Sequence, residues 1–227
     1  MASPLDELRF LRDLGFTHLD LGSAAVSSIA ESAVADATPS SGADSDLYAA
    51  LAAQIKACTL CRLSTTRTQA VVGEGNLSAD LMFIGEAPGR DEDAAGEPFV
   101  GRAGQLLTDI IKAMKLTRDD VYISNVIKCR PPENRNPEQD EMDTCRPYIQ
   151  RQIEMIRPKV IVTLGRFALQ TIMQKPLGIS TVRGKWLRYG DIRVMPTYHP
   201  AYLLRTPSAK KDVWNDMKKV MAELGLE

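Results

Sequence analysis

The sequence predicts an α/β protein of three layers, α/β/α, in which a central, mainly parallel sheet of four strands is covered by helices on both faces. Four short apolar runs rich in β-branched residues have the length of buried strands. Helix-sized segments with apolar residues three and four apart separate or follow these runs. Strands that alternate with helices indicate crossover connections, which give a parallel sheet with both faces covered.

The elements follow in order along the chain. The strand-sized runs are residues 81–84, 121–124, 160–164 and 192–195. Apolar residues at helical spacing form three faces, namely Leu106, Leu107, Ile110, Ile111 and Met114; Cys145, Ile149, Ile153 and Ile156; and Val213, Met217, Val220, Met221 and Leu224. The sequence contains no internal repeat. The folded domain is therefore predicted to occupy residues 47–227.

Residues 1–46 differ in composition from the rest of the chain. Leucines at positions 5, 8, 11 and 14 would share one flank of a short helix. Residues 22–46 are dominated by Ala, Ser, Asp and Gly and contain no aromatic side chain, which is typical of a flexible linker. We expect residues 1–46 to be dispensable for chemistry, with the helix at residues 5–14 available to a protein partner.

Charge and hydropathy limit the possible classes of function. The 227 residues carry a formal net charge of -1, but eight of the 29 acids and only two of the 28 bases lie in the first 50 residues. Residues 183–211 are strongly basic, which permits a nucleic-acid partner. No apolar run reaches the roughly 18 residues of a membrane span, and the amino terminus lacks a signal-peptide pattern. We expect a monomeric cytoplasmic protein with no membrane partner.

The residues that follow the predicted strands carry the candidate chemistry. Glu86 and Glu92 come after the first strand, Asn125 after the second and His199 after the fourth. Ligands of open α/β sheets bind beyond the carboxyl ends of the strands, so these side chains are expected to line one crevice. The glycine-rich segment 85–89 lacks the pattern of a phosphate-binding loop, which excludes a nucleoside triphosphate substrate.

All four cysteines belong to one candidate set. Cys58 and Cys61 form a C-x-x-C pair, and Cys129 and Cys145 follow far along the chain. Such a set can bind zinc or an iron-sulfur cluster, and the spacing does not separate the two. A thioredoxin-like redox pair is disfavoured because the pair precedes the first strand instead of following one.

The segment from His199 to Arg205 resembles a DNA-contacting loop. Leu203 and Leu204 are adjacent large apolar residues that we expect to be exposed, and Arg205 follows them. Minor-groove binding proteins insert apolar side chains beside arginine in this way. The segment therefore predicts a wedge, Leu203 and Leu204, with Arg205 as an anchor to the DNA.

Several separate motifs together resemble the family 4 uracil-DNA glycosylases, the iron-sulfur class of that superfamily. The resemblance covers about residues 50–225. Its motifs are Gly85-Glu86-Ala87-Pro88-Gly89, Glu92-Asp93, residues 96–107 (GEPFVGRAGQLL), residues 125–132 (NVIKCRPP), residues 163–166 (TLGR) and residues 199–205 (HPAYLLR). It implies a [4Fe-4S] cluster bound by Cys58, Cys61, Cys129 and Cys145.

The resemblance also implies an activity on uracil-containing DNA, single- or double-stranded. The N-glycosidic bond of a flipped-out uracil would be hydrolysed, which releases free uracil and leaves an abasic site. By this resemblance Asn125 reads the edge of uracil, Phe99 stacks on the base and His199 donates a hydrogen bond to the leaving uracil anion.

Two features remain open at the sequence level. Ala87, in the expected base pocket, occupies the position at which the best-known branch of the superfamily has an aspartate, so Glu86 and Glu92 are equal candidates for orienting water or stabilising the sugar cation. A non-enzymatic iron-sulfur or zinc-dependent nucleic-acid-binding module is the alternative function. The cysteines and the basic loop would suffice for such a module.

Overall fold

The structure is a computed structural model that describes residues 41–226. The helix expected at residues 5–14 lies outside these residues. The described unit begins at Ser41 with helix α1 (Ser41–Ala57), where a linker extending to residue 46 was predicted. Leu51 and Ile55 of this helix are buried against Val72 and Ala70, so tertiary packing extends helical order into a polar segment. Helix α1 thus begins at Ser41, six residues before the predicted start of the folded domain at residue 47.

The remaining elements alternate as the sequence predicts. In chain order they are β1 (Glu74–Gly75), β2 (Leu81–Gly85), α2 (Arg90–Ala95), α3 (Arg102–Ala113), β3 (Tyr122–Asn125), α4 (Gln139–Ile156), β4 (Val160–Leu164), α5 (Arg166–Met173), α6 (Ile179–Val182), β5 (Leu187–Tyr189), β6 (Ile192–Thr197), α7 (Pro200–Arg205) and α8 (Lys210–Leu224). Short 3₁₀ turns join several of them, at Arg62–Thr65, Arg118–Asp120, Pro132–Asn134 and Pro207–Ala209.

One sheet of six strands forms the centre of the described unit, in the order β1-β3-β2-β4-β6-β5. The four predicted runs are its inner strands β3, β2, β4 and β6, which are parallel. The predicted strand number of four is wrong because β1 and β5 add antiparallel edges. These edge strands have two and three residues, which is too short for a periodic signal in the sequence.

Helices cover both faces of the sheet, which confirms the predicted α/β class. Alternate residues of β2 enter different cores, because successive side chains of a strand point to opposite faces. Met82 and Ile84 pack with residues of α4 and α5, whereas Leu81 and Phe83 pack with residues of α3 and α8. Because β2, β3 and β6 run parallel, their carboxyl ends lie at the same edge of the sheet. None of the helices within residues 41–226 is both long enough and apolar enough to cross a membrane.

Candidate active site

A cleft of about 440 Å³ opens at the carboxyl ends of the parallel strands. Glu86 follows β2, Asn125 ends β3 and His199 follows β6, so the sheet itself brings these three side chains together. The lining also includes other predicted residues, namely Ala87, Glu92, Phe99 and Arg205. The crevice expected from the strand ends is therefore present. Leu203 and Leu204 are not part of its lining.

The Asn125 carboxamide lies at the base of this cleft with an unused acceptor. Its side chain is 2% exposed, and Oδ1 has no hydrogen-bond partner among the described residues. Gly85 pairs with Asn125 across the sheet, and a Cβ atom at Gly85 would collide with Oδ1 of Asn125 and with the Phe99 ring. A buried oxygen without a partner costs about 1–3 kcal/mol. The absence of a side chain at position 85 keeps this oxygen open to a donor from a ligand.

Phe99 is held in the cleft in a left-handed backbone conformation, with a φ of 55°. Two features stabilise this otherwise unfavourable geometry. Arg118 donates hydrogen bonds to the carbonyl oxygens of Pro98 (2.6 Å) and Phe99 (3.2 Å). Gly104 lies so close to the Phe99 main chain that any side chain there would collide with it. The ring consequently lies 5.7 Å from the His199 ring, centroid to centroid, with an angle of 32° between the planes.

His199 is the N-cap of helix α7, and its ring is held as a neutral donor. Its Nδ1 atom accepts a hydrogen bond from the main-chain N–H of Ala201 at 3.1 Å. An accepting Nδ1 carries no proton, so the proton of the neutral ring is on Nε2. Burial lowers the pKa of His199 to about 4, and the charge of Arg205 acts in the same direction. At neutral pH the cleft therefore contains an uncharged imidazole with one N–H to donate.

The two glutamates of the motif differ in their contacts. Residues 41–226 provide no hydrogen bond to the Glu86 carboxylate, whereas Glu92 accepts main-chain N–H groups from Gly89 (3.1 Å), Val100 (3.0 Å) and Gly101 (2.9 Å). Burial raises the pKa of Glu86 to about 7, and the positive charge of Arg166 opposes this rise. The Glu92 carboxylate is therefore engaged with the loops around the cleft, whereas the Glu86 carboxylate is not engaged by residues 41–226.

The predicted wedge requires a correction at Leu203. The segment forms helix α7, not an extended loop, so adjacent side chains point in different directions. Leu203 is 1% exposed and packs in the core with Leu107, whereas Leu204 is 38% and Tyr202 is 37% exposed. Tyr202 and Arg205 line the cleft, one turn apart on the helix. Leu203 is thus a core residue, and the exposed apolar surface of α7 consists of Tyr202 and Leu204.

All four cysteines line a second, narrower cavity. None of them forms a disulfide. Arg67 donates to Cys129 Sγ at 2.9 Å, and the main-chain N–H of Lys128 donates to Cys145 Sγ at 3.3 Å. Burial raises the pKa of Cys145 to about 12 and also raises the pKa of Cys129. The thiols of Cys129 and Cys145 would therefore keep their protons near neutral pH unless a bound metal cation takes the place of the protons.

The cysteine cavity does not have the arrangement of a site for one metal ion. Within residues 41–226, no three His, Cys, Asp or Glu side chains are grouped closely enough to bind one metal ion. The N–H groups that already point at Cys129 and Cys145 are the kind of donor that stabilises bound thiolate sulfur. Four cysteines that line one cavity, two buried and two half-buried, with N–H donors to Cys129 and Cys145, thus fit an iron-sulfur cluster.

Comparison with known proteins identifies the family of this fold and cleft. Residues 72–218 match the model of the uracil DNA glycosylase superfamily. The chain belongs to the uracil DNA glycosylase superfamily. It is 49% identical to the type-4 uracil-DNA glycosylase of Saccharolobus solfataricus, over 77% of this chain and 85% of the relative. The type-4 enzyme of Thermotoga maritima is 45% identical, over 78% of this chain and 91% of the relative. These matches confirm the resemblance to family 4.

A second group of the superfamily is more distant. The type-5 uracil-DNA glycosylase of Pyrobaculum aerophilum is 32% identical, over 57% of this chain and 64% of that protein. The type-4 enzyme of the same organism is 41% identical, over 72% of this chain and 87% of the relative. The chain is therefore more similar to the type-4 than to the type-5 glycosylase of one organism.

Nine further residues line the cleft of this superfamily member without having been predicted as site residues. They are Pro88, Gly89, Ala103, Pro131, Asn134, Arg135, Asn136, Ala201 and Tyr202. Arg135 is held by the buried carboxylate of Glu141, with contacts of 2.6 and 2.9 Å. The hydrogen bond from Arg135 is the main reason that the pKa of Glu141 falls to about 2. The sequence signal for this wall is weak, because residues 131–136 form a loop with neither helix nor strand periodicity.

Proposed function

We propose that this protein hydrolyses the N-glycosidic bond of uracil in DNA, releasing free uracil and leaving an abasic site. The observation that carries the proposal is the combination, in one cleft, of an unpartnered Asn125 oxygen, a neutral His199 that donates through Nε2 and the Phe99 ring. A flat base with an N–H group and two carbonyl oxygens can donate to the Asn125 oxygen, accept from His199 and stack on Phe99. The base would enter the cleft only after rotation out of the DNA stack.

Asn125 provides the discrimination between uracil and cytosine. Its Oδ1 accepts from uracil N3–H, and its amide N–H donates to uracil O4. Cytosine has an acceptor at N3 and a donor at N4, so both contacts would be mismatched and two buried polar groups would lack partners. Such a mismatch rejects a competing substrate much more strongly than a change of size alone. Phe99 would stack on the face of the base.

His199 stabilises the leaving group. As the glycosidic bond breaks, negative charge accumulates on uracil O2, and a donor that points there binds the transition state more strongly than the substrate. The contact from Ala201 to Nδ1 supports Nε2–H as this donor. The low pKa of His199 keeps the ring neutral across the physiological range. The imidazole thus acts as a fixed hydrogen-bond donor and not as a proton source.

Glu86 is the carboxylate assigned to the sugar and the attacking water. Ionised Glu86 would stabilise the positive charge that develops on the deoxyribose and would orient water towards its anomeric carbon. Its pKa of about 7 makes this role sensitive to pH near neutrality. Glu92 is assigned the different role of holding the loops that carry Gly89, Val100 and Gly101, because its carboxylate oxygens already accept from their N–H groups.

The DNA surface is assigned to helix α7 and its basic surroundings. Arg205 lies in the cleft wall, where a phosphate next to the flipped nucleotide would meet its guanidinium group. Tyr202 and Leu204 are the exposed apolar residues that would contact the bases left behind. Because no duplex is needed to reach the cleft, both single- and double-stranded DNA are expected to be substrates.

Cys58, Cys61, Cys129 and Cys145 would bind one [4Fe-4S] cluster. When bound, such a cluster supplies a covalent cross-link between chain segments and contributes to folding energy. Here it would tie the segment after α1 to the loop after β3 and to α4. The cysteine cavity is separate from the residues that line the cleft, so a structural role for the cluster is proposed.

A base-release assay tests the proposed activity. Single-stranded oligonucleotides that carry one uracil, or thymine or cytosine at the same position, would be incubated with the protein and with a His199→Ala variant. We expect abasic sites only in the uracil oligonucleotide, with far slower formation by the variant. Binding of the oligonucleotide without any release of uracil would instead support the non-enzymatic binding module.

A further inference from the structure

A buried lysine lies between the cleft and the cysteine cavity. Lys128 is 2% exposed, and its Nζ donates to Gln152 Oε1 (2.6 Å), Ser124 Oγ (2.7 Å), the Asn125 carbonyl oxygen (2.8 Å) and the Val72 carbonyl oxygen (3.2 Å). All four partners are uncharged acceptors. Burying an ammonium group is costly unless it is both hydrogen-bonded and compensated by opposite charge. Lys128 has these hydrogen bonds, so its burial also requires a negative charge nearby.

The cysteines are the nearby groups that could supply this negative charge. Within residues 41–226, none of the ion pairs includes Lys128. Lys128 lines the same cavity as the four cysteines. Its main-chain N–H also donates to Cys145 Sγ at 3.3 Å. Thiolates bound to a cluster would provide the negative charge that the lysine otherwise lacks.

We propose that Lys128 is a positioning residue shared by the two sites. Its ammonium group holds the main chain of Asn125 at the base of the cleft, and the same charge faces the thiolates of Cys129 and Cys145. The part that concerns Asn125 rests on the proposed uracil-DNA glycosylase function. The part that concerns the cysteines does not require any activity.

The contact with Asn125 bears on recognition because the carboxamide has few other restraints. Its Oδ1 receives no hydrogen bond from the described residues, so the position of the main chain decides where this oxygen points. The Lys128 bond to the Asn125 carbonyl is reinforced by Gln152, which also donates to Val72 O (2.9 Å) and Tyr122 Oη (3.0 Å). Removal of the ammonium group would leave buried acceptors without a donor and would release the strand end.

The test compares Lys128→Met with Lys219→Met in the cluster-loaded protein. Lys219 is a matched control, since its Nζ also donates to a main-chain carbonyl, that of Gly184 (2.6 Å), but it does not line the cysteine cavity. Two quantities would be measured for each protein: the midpoint potential of the cluster and the inhibition constant of free uracil. Loss of a nearby positive charge disfavours addition of an electron, so Lys128→Met is expected to lower the potential.

The uracil measurement examines the other half of the proposal. Lys128→Met should weaken inhibition by free uracil by about tenfold, a change of about 1.4 kcal/mol. The double variant Lys128→Met and Asn125→Ala should weaken uracil inhibition little more than Asn125→Ala alone, because both changes disturb the contact between Asn125 and uracil. Lys219→Met should change neither quantity. An unaltered potential or unaltered uracil inhibition in Lys128→Met would overturn the shared role. Absence of glycosylase activity with a lowered potential would reject only the proposed function and the part that rests on it.

A second variant keeps the proposal testable if Lys128→Met does not fold. Gln152→Glu has nearly the same shape and places a carboxylate 2.6 Å from the ammonium group, at the position of Oε1. Its negative charge offsets that of Lys128 and the lysine contact with Asn125 is retained, but the new side chain cannot donate to Val72 O and Tyr122 Oη. We therefore use this variant only for the charge interaction and expect a lower cluster potential. An unchanged potential in this variant would refute the proposed charge interaction.

Discussion

The cleft and the cysteine cavity lie on either side of one short segment, from Asn125 to Cys129, and their polar atoms differ in how they are satisfied. In the cleft, Asn125 Oδ1 has no partner among residues 41–226, and burial holds Glu86 partly protonated near neutral pH. In the cavity, Cys129 and Cys145 each receive an N–H donor. Open acceptors suit a ligand that enters and leaves, whereas thiols supplied with donors suit a group that stays bound. Substitutions in the cysteine cavity should therefore mainly lower the stability of the protein. Substitutions in the cleft should mainly lower the cleavage rate.

The largest effect is expected from loss of a cysteine. Cys145→Ala should abolish cluster binding and lower the free energy of unfolding by several kcal/mol, because metal-binding energy is part of folding energy. Iron content, visible absorbance and thermal unfolding of anaerobically purified protein measure this. His199→Ala is the control and should retain its iron. Active protein that contains zinc, or no metal, would contradict the assignment.

Replacing the leaving-group donor should lower the rate much more than the stability, which should fall by only about 1 kcal/mol through loss of the N-cap of α7. His199→Ala is expected to lower the single-turnover cleavage rate by about 10²-fold or more, equal to about 2.7 kcal/mol, on both single- and double-stranded DNA. The other histidine, His18, offers a control substitution that should not change the rate. An unchanged rate in His199→Ala would remove the imidazole from the mechanism.

The pH dependence separates Glu86 from His199. Because the pKa of Glu86 is about 7 and that of His199 is about 4, the rate should rise with pH through about 7, and His199 should not contribute to that limb. Glu86→Gln should lower the rate and remove the limb, whereas Glu92→Gln should retain the limb and mainly lower stability. If the rate of Glu86→Gln still rises with pH through about 7, a group other than Glu86 is responsible for the rise.

The same two groups have opposite effects on stability. Glu86 has its pKa raised from 4.5, so the folded state binds more protons than the unfolded state between pH 4.5 and about 7, and its contribution to stability falls as pH rises. His199 has its pKa lowered from 6.5, so its contribution rises between about pH 4 and 6.5. Thermal unfolding of Glu86→Gln and His199→Ala across this range would reveal the two slopes separately.

Variants of helix α7 should show smaller and substrate-dependent changes. Tyr202→Ala and Leu204→Ala should reduce cleavage of duplex DNA more than that of single strands, because only a duplex requires extrusion of the base at a cost of a few kcal/mol. Leu203→Ala should instead lower stability by about 2–5 kcal/mol, as expected for a buried leucine. Equal losses on both substrates for Tyr202→Ala would show that Tyr202 shapes the base pocket.

Removal of the amino-terminal extension is expected to have the smallest effect. Deletion of residues 1–40 preserves helix α1, whose Leu51 and Ile55 are buried, and retains every cleft-lining residue found within residues 41–226. The rate on short oligonucleotides should change by less than about tenfold, or 1.4 kcal/mol. Deletion through residue 46 would shorten α1 and serves as the contrasting variant. A larger loss on deletion of residues 1–40 would assign this extension a part in catalysis.

Much of the fold and cleft was predictable because the signals are local. The inner strands have contiguous apolar residues that bury on both faces, and this pattern is visible in the sequence alone. Glu86, Asn125 and His199 directly follow such strands, so a parallel sheet brings them together. The edge strands β1 and β5 were not predicted because their few residues show no periodic pattern. They are ordered by pairing with β3 and β6.

The sequence by itself determined the α/β class, the four inner strands, the set of cysteines and the residues at the strand ends, since each depends on residue type and spacing along the chain. The tertiary structure alone decided which of Leu203 and Leu204 is buried, that Glu92 is satisfied by Val100 and Gly101, and that Lys128 meets Gln152. These outcomes depend on contacts between segments distant in sequence, and hydrogen-bond satisfaction and burial are properties of those contacts. Two glutamates or two leucines with equivalent sequence settings can therefore have different roles.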